Sequence, residues 1–204
     1  MEKDQIAVFL QTGAAFGVGD HPSTRLALRG LQWVVESLSS ESGALTETVL
    51  DLGTGSGVLL IAALKLGFLG GRGTDTDPCD RSEARRNLAL NGLEDCAHIL
   101  DGAPDPIGGG VGLVLANLRL PTIMTLLPEM DHCLLPGGRI VLSGIHPSEE
   151  ASLENSCVHR GWINQWRDAE LGWSAVVFKK ERTFPESTRS IELDVARHED
   201  PGRR

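Results

Sequence analysis

No C-x-x-C pair and no histidine pair at zinc spacing occur in this 204-residue chain. Its four cysteines, Cys79, Cys96, Cys133 and Cys157, lie far apart. That spacing argues against a metal site and for free, reduced thiols in a cytoplasmic protein. No apolar run reaches about 18 residues, so no membrane span is expected. The opening MEKDQIAVFLQ lacks a basic stretch followed by a long apolar one, so no signal peptide is expected either. Basic charge is also in deficit. Lys and Arg number 19 against 28 Asp and Glu, a formal net charge of −9. An acidic surface argues against direct nucleic-acid binding and suits a small molecule or a basic protein partner.

The composition is that of a globular chain, 41% hydrophobic and 23% charged, long enough for one α/β domain. Apolar patterning alternates between strand and helix, the mark of a parallel sheet with crossover helices. Helices are predicted over 22–38, 58–66, 80–90, 121–134 and 147–159. Strands are predicted over 48–52, near 75, over 98–100, over 111–117 and in RIVLSG after a PGG turn. A terminal antiparallel pair is predicted over 162–167 and 172–178. VGLVLAN (111–117) is apolar throughout, as a strand buried on both faces requires. After residue 180 the pattern is lost, and 181–204 reads as a charged, flexible tail to a domain spanning 1–180.

The first strand runs into DLGTGSG (51–57) and then a helix. Gly53, Gly55 and Gly57 remove side chains where strand turns to helix, so a ligand can touch bare backbone. A dinucleotide fingerprint needs a third glycine where Val58 stands, and a phosphate-binding P-loop needs Gly-Lys-Ser/Thr, which does not follow. The leading Asp51 would repel a pyrophosphate. It suits S-adenosylmethionine, which has no phosphate and carries ammonium and sulfonium charges. The alternative is a tight structural turn. Asp75 follows the second strand about 20 residues on, where a carboxylate can accept both ribose hydroxyls; it can equally be a turn or cap residue. Asp77 reads as a helix cap. Asp101, after the third strand, is either an acceptor for an adenine amino group or a turn residue. Upstream, AFGVGDHPSTRLAL is a glycine-rich loop feeding a helix, whose first N–H groups and the hydroxyls of Ser23 and Thr24 can bind a carboxylate or a main-chain group. His21 is either loop-shaping or a ligand contact; His132, His146 and His159 have no motif around them.

AFGVGDHPSTRLAL, VLDLGTGSGVLLIAALKLG, TDTDP, ARRNLALNG, VLANL and LLPGGRIVLSGI occur in one order along residues 11–180. In that combination the chain resembles the ribosomal protein L11 methyltransferase (PrmA) family. The resemblance implies a class I S-adenosylmethionine-dependent methyltransferase fold, Rossmann-like, with a seven-stranded, mostly parallel sheet whose last strand is antiparallel. It implies transfer of methyl to lysine and N-terminal amino groups of a ribosomal protein. Asp51, Gly53, Gly55 and Gly57 would then line the methionine end of the cofactor, and Asp75 would hold the ribose. Phe16, Gly17 and Thr24 would belong to a loop closing over the cofactor. Asn117 would lie beside the transferring methyl and orient the acceptor amine.

The chain departs from the family in places. Val18 and Ser23 stand where threonines are usual, and Arg119 and Leu120 follow the VLAN strand where small residues and a glycine are usual. The family also carries an N-terminal substrate-recognition domain, whereas this chain opens about ten residues before the loop. A different protein, small-molecule or base acceptor, or a cofactor-binding module without turnover, are the competing readings. The N-P-P-[YF] motif of base-amine enzymes is not matched by Asn117-Leu118-Arg119.

Overall fold

The computed structural model describes residues 5–11, 13, 17, 19–42, 47–102 and 110–181. The proposed tail beyond 181 therefore lies outside the described residues. The chain order is α1 (Pro22–Ser42), β1 (Thr48–Leu52), α2 (Val58–Lys65), β2 (Gly70–Asp75), α3 (Pro78–Leu90), β3 (Ala97–Asp101), β4 (Val111–Asn117), α4 (Leu120–Cys133), β5 (Leu134–Ile145), α5 (Glu150–Val158), β6 (Trp162–Glu170) and β7 (Trp173–Lys180). One seven-stranded sheet runs in the order β3-β2-β1-β4-β5-β7-β6. Only β7 runs against its neighbours, pairing antiparallel with both β5 and β6. This is the seven-stranded α/β sheet with an antiparallel last strand that the sequence implied.

Period-two alternation divides the core into two layers. Val49, Leu113, Leu115, Val141 and Val177 face one layer with α1, α2 and α3. Leu50, Leu52, Val114, Ala116, Ile140, Leu142 and Phe178 face the other with α4 and α5. Asp51 lies between Leu50 and Leu52 in sequence and so points to the α2 side. The order 2-1-4 makes the gap between β1 and β4 a topological switch point. In such sheets a crevice opens at the carboxyl ends of the strands.

Helix ends follow local stereochemistry. Gly67, with φ +111, closes α2: its N–H donates to Leu64 O, and that of Phe68 donates to Ala63 O. Gly92, with φ +68, closes α3 in the same way, with Gly92 N–H to Ala89 O and Leu93 N–H to Leu88 O. Both are Schellman closures, which need a left-handed residue just past the helix. At its start α3 is two residues longer than predicted. Asp77 caps it, accepting from Cys79 N at 2.7 Å, and Pro78 occupies the first turn, where its missing N–H is harmless.

Two further boundaries differ, the first for a non-local reason. β5 begins at Leu134 rather than after the PGG turn, because Leu134 already pairs with Val111. The register then jumps so that Leu113 meets Arg139, and Pro136–Gly138 are accommodated as an irregularity within the strand. The predicted helix over 147–159 opens as a short 3-10 turn, Pro147–Glu149, before α5. Among the described residues no helix is long and apolar enough to cross a membrane.

Candidate active site

A cavity of about 650 Å³ opens at the carboxyl ends of β1, β2 and β4, within the range of small-molecule and cofactor sites. Gly53, Gly55 and Asp75 line one part of it; Gly17, His21 and Thr24 line another; Asn117, Leu118, Arg119 and Trp173 line a third.

The glycine loop is tied to β2. Thr54 N–H donates to Thr74 O at 2.9 Å, and Gly55 N–H donates to the Asp75 carboxylate (Oδ2) at 3.0 Å. Asp75 Oδ1 accepts from Asp77 N–H at 3.0 Å. The carboxylate is thus held by two main-chain donors, and each oxygen keeps a second lone pair for the cavity. Gly53 has φ +66, and a Cβ there would stand 2.6 Å from Leu118 Cδ2. Backbone and the β4–α4 connection approach each other here as closely as a glycine permits. Gly57 has a different task. It does not line the cavity; its φ of +84 starts α2, and an added Cβ would press on Ala84 of α3 at 3.4 Å.

Asp51 also stands behind the cavity wall, 1% exposed. Its Oδ2 accepts from the Thr54 hydroxyl at 2.7 Å, while Oδ1 has no hydrogen-bond partner. Burial pushes this carboxyl up to about 7; the Thr54 hydroxyl and the nearby main chain at Leu60 pull it down, and the charge of Asp75 adds to the rise. An under-satisfied buried carboxyl under a glycine loop suits a ligand that brings positive charge or a hydrogen-bond donor.

Asp101 is adjacent to Asp75 across the β2–β3 register but does not line the cavity. Its carboxylate pairs with Arg81 at 2.7 Å. The same Arg81 nitrogen donates to the carbonyls of Asp75 (2.9 Å) and Thr76 (3.0 Å). Phe16 lies outside the described residues. Its neighbour Gly17 accepts at its carbonyl from Ser56 Oγ at 2.9 Å, which ties the upstream loop to the glycine loop. Ser56 in turn is anchored by Asn87 of α3, whose Nδ2 donates to Ser56 O at 2.8 Å.

At the opposite end, Asn117 Nδ2 lies 3.4 Å from Thr24 Oγ1, and Thr24 is fully buried. Gly144, φ +83, leaves room for this turn: a Cβ there would stand 2.9 Å from Asn117 Oδ1. Trp173 organises the rim. His21 meets it edge-on at 4.9 Å between centroids, His146 stacks on it at 4.6 Å, and Arg119 places its guanidinium carbon 5.0 Å from the ring centre. His21 Nδ1 accepts from the Ser23 main chain at 3.2 Å, with Ser23 Oγ at 2.8 Å. That bond assigns the proton of the neutral ring to Nε2. No residue pattern signalled Trp173 or His146. Trp173 reaches the cavity because β7 folds back beside β5, and His146, just past β5, backs it without lining the cavity. Among the described residues, no group of three His, Cys, Asp or Glu could hold a metal ion.

A seven-stranded sheet of this order, with a glycine loop and an acid after β2 at its switch point, defines the class I methyltransferase fold. Comparison with known proteins narrows this. The chain belongs to the family described as ribosomal protein L11 methyltransferase (PrmA), whose model matches residues 1–181. Among curated relatives, the ribosomal protein L11 methyltransferase of Gloeobacter violaceus is 32% identical over 92% of this chain and 56% of that protein. That of Geotalea uraniireducens is 36% identical over 86% of this chain and 57% of the relative. The chain thus spans little more than half the length of these relatives. The crystal structure of ribosomal protein L11 methylase from Lactobacillus delbrueckii subsp. bulgaricus superposes with a TM-score of 0.73 at 28% identity, covering 88% of this chain and 91% of that one. An RNA methyltransferase from Salinibacter ruber, solved with S-adenosyl-L-homocysteine, shares the fold at a TM-score of 0.53 and 21% identity, covering 76% of this chain and 95% of that one.

Proposed function

We propose that this chain is the methyl-transferring part of a cytoplasmic, S-adenosylmethionine-dependent protein methyltransferase. Its acceptors are amino groups, lysine or N-terminal, of ribosomal protein L11, the protein that the relatives' names carry. The observation that carries this reading is the shape of one cavity. It joins a glycine loop and a ribose-competent carboxylate to Asn117 and Trp173 without a wall between them.

The residues present fit the cofactor. Gly53 and Gly55 offer main chain, Asp75 offers two carboxylate lone pairs to ribose hydroxyls, and the partnerless Oδ1 of Asp51 complements a cationic methionine end. Gly57 supports this by starting α2 under the loop, and Asp101 does so at one remove, by holding Arg81 against the carbonyls that follow β2. Gly17, on the upstream loop, and Thr24, in the first turn of α1 rather than in that loop, close over the ligand.

When bound, S-adenosylmethionine supplies a methyl group on a positively charged sulfur, open to in-line displacement. The chain's part is alignment and desolvation. The acceptor amine must arrive neutral, although a free lysine titrates near about 10.4. The Asn117 side-chain oxygen accepts from the amine and orients its lone pair, and Trp173 shields the line of attack from water. No dedicated general base is required, since the proton leaves before the methyl moves.

Incubation with radiolabelled S-adenosylmethionine, purified L11 and a ribosomal protein fraction tests this. The expected result is one labelled band at L11, lost in Asp75→Ala, with label on amino nitrogen by mass spectrometry. Label only in RNA or in small molecules would sink the protein-acceptor reading.

A further inference from the structure

Among the described residues the charged side chains lining the cavity are Asp75, Asp80 and Arg119. The two carboxylates belong to the β2–α3 side. Arg119 stands alone on the other side, two residues past Asn117, exposed and held over Trp173. No carboxylate among the described residues pairs with it. Glu170, the register partner of Trp173 on β6, is bound by Arg25 and Arg29. The two histidines around Trp173 are committed as well: His21 Nδ1 to Ser23, and His146 Nδ1 to the Gly172 carbonyl at 2.9 Å. Asp51 lies behind the wall on the α2 side.

We infer that Arg119 sets the protonation state of the acceptor: its fixed positive charge beside Asn117 drives the entering ammonium to its neutral, nucleophilic form. The inference rests on the amine-acceptor reading above. A guanidinium does not titrate in the working range, so its field is constant. A like charge close by disfavours the charged form of an amine, the device by which a lysine next to another cation becomes a nucleophile. The aromatic partner matters. A carboxylate would fix Arg119 but cancel its field, whereas the Trp173 ring fixes it and leaves the charge intact. The amine gives its proton to water on entry. Its lone pair then forms the N–C bond as the S–C bond breaks, and the positive charge passes from sulfur to nitrogen.

The test measures kcat at saturating cofactor and saturating purified L11, from about pH 6 to about pH 10, for the unmodified chain, Arg119→Leu, Arg119→Gln and Arg119→Lys. The kcat profile reports ionisations in the bound complex. For Leu and Gln the midpoint of the acid limb is expected to move up by about one unit, a loss of about tenfold in rate at neutral pH. Arg119→Lys retains the charge and keeps the midpoint close to the original. A second readout needs no turnover: with S-adenosylhomocysteine bound, the ε-carbon shift of 13C-lysine-labelled L11 should titrate at lower pH with the unmodified chain than with Arg119→Leu. Calorimetry should give every variant the same affinity for S-adenosylhomocysteine, which also certifies folding. Equal midpoints with a raised KM for L11 would overturn the inference and make Arg119 a reader of an anionic group on the acceptor. Equal midpoints with unchanged constants would overturn it outright. If the unmodified chain forms no methylamine at any pH, the amine-acceptor reading fails and this inference with it, a result distinct from a product that forms without a shifted midpoint.

Discussion

Asp51→Asn probes the buried charge under the glycine loop. In the folded chain Asp51 titrates at about 7 against an ordinary value of 3.8, so the folded state holds its proton where the unfolded state has released it. Stability is therefore highest at low pH on this account and falls as pH rises through the folded value. Between about pH 5 and about pH 8 the loss integrates to roughly 2.5 kcal/mol. For a chain of this size that is a fall in Tm of about 5–10 °C attributable to one group. Asparagine has the same shape and no charge. Its oxygen still accepts from the Thr54 hydroxyl, and its amide faces the place where Oδ1 finds no partner. Any penalty for that amide is independent of pH, so it offsets the curve without changing its slope. The assay is thermal unfolding of both proteins without cofactor at half-unit steps of pH. The Asn variant is expected to overtake the unmodified chain as pH rises; the two curves should separate most steeply between about pH 4.5 and about pH 6.5 and run parallel above about pH 8. Parallel curves between about pH 4.5 and about pH 6.5 would refute the reasoning, since they would mean that Asp51 carries no folded-state proton in this range. The corollary concerns affinity. A cationic cofactor favours the ionised carboxyl, so binding at about pH 6 should release protons into buffer, and the release should vanish in the Asn variant.

Asp75→Ala removes the acceptor for two main-chain N–H groups and the proposed ribose contact together; calorimetry should show cofactor affinity falling about a hundredfold with circular dichroism unchanged. Gly53→Ala imposes left-handed backbone on a side chain and moves Leu118; it should cost about 1–2 kcal/mol by denaturant titration and weaken cofactor binding by more than that strain alone explains. Asn91→Ala breaks the clamp in which Asn91 accepts from Phe9 N–H at 3.0 Å and donates to Phe9 O at 2.6 Å; amide exchange of residues 5–11 should quicken about tenfold while the sheet stays protected.

Much of the architecture was legible because it is local. β1 and β4 have the predicted bounds, since short apolar runs closed by Gly or Asn have few other states. The ends of α2 and α3 were readable from Gly67 and from Asn91–Gly92, because few residues besides glycine take the left-handed turn past a helix. The start of β5 was not legible: Leu134 becomes strand only because Val111 lies alongside it. The site divides in the same way. The glycine loop and Asp75 announce themselves by spacing. That Asp101 is engaged by Arg81, 20 residues earlier, depends on how α3 packs beside β3.

The sequence by itself determined the strand–glycine–helix unit, the acid that follows the second strand and the family to which these motifs point, because each rests on backbone preferences within a few residues. Only the tertiary structure decided the charge and shape of the cavity end at Asn117 and Trp173. Trp173, His146, His21 and Arg119 come from four separate segments, and no local preference links them. They meet because β7 turns back antiparallel onto β5, and because α1 lays its first residues across the ends of both. Whether Asp51 holds a proton was likewise a tertiary outcome, since a carboxylate shifts only when α2 and the glycine loop close water away from it.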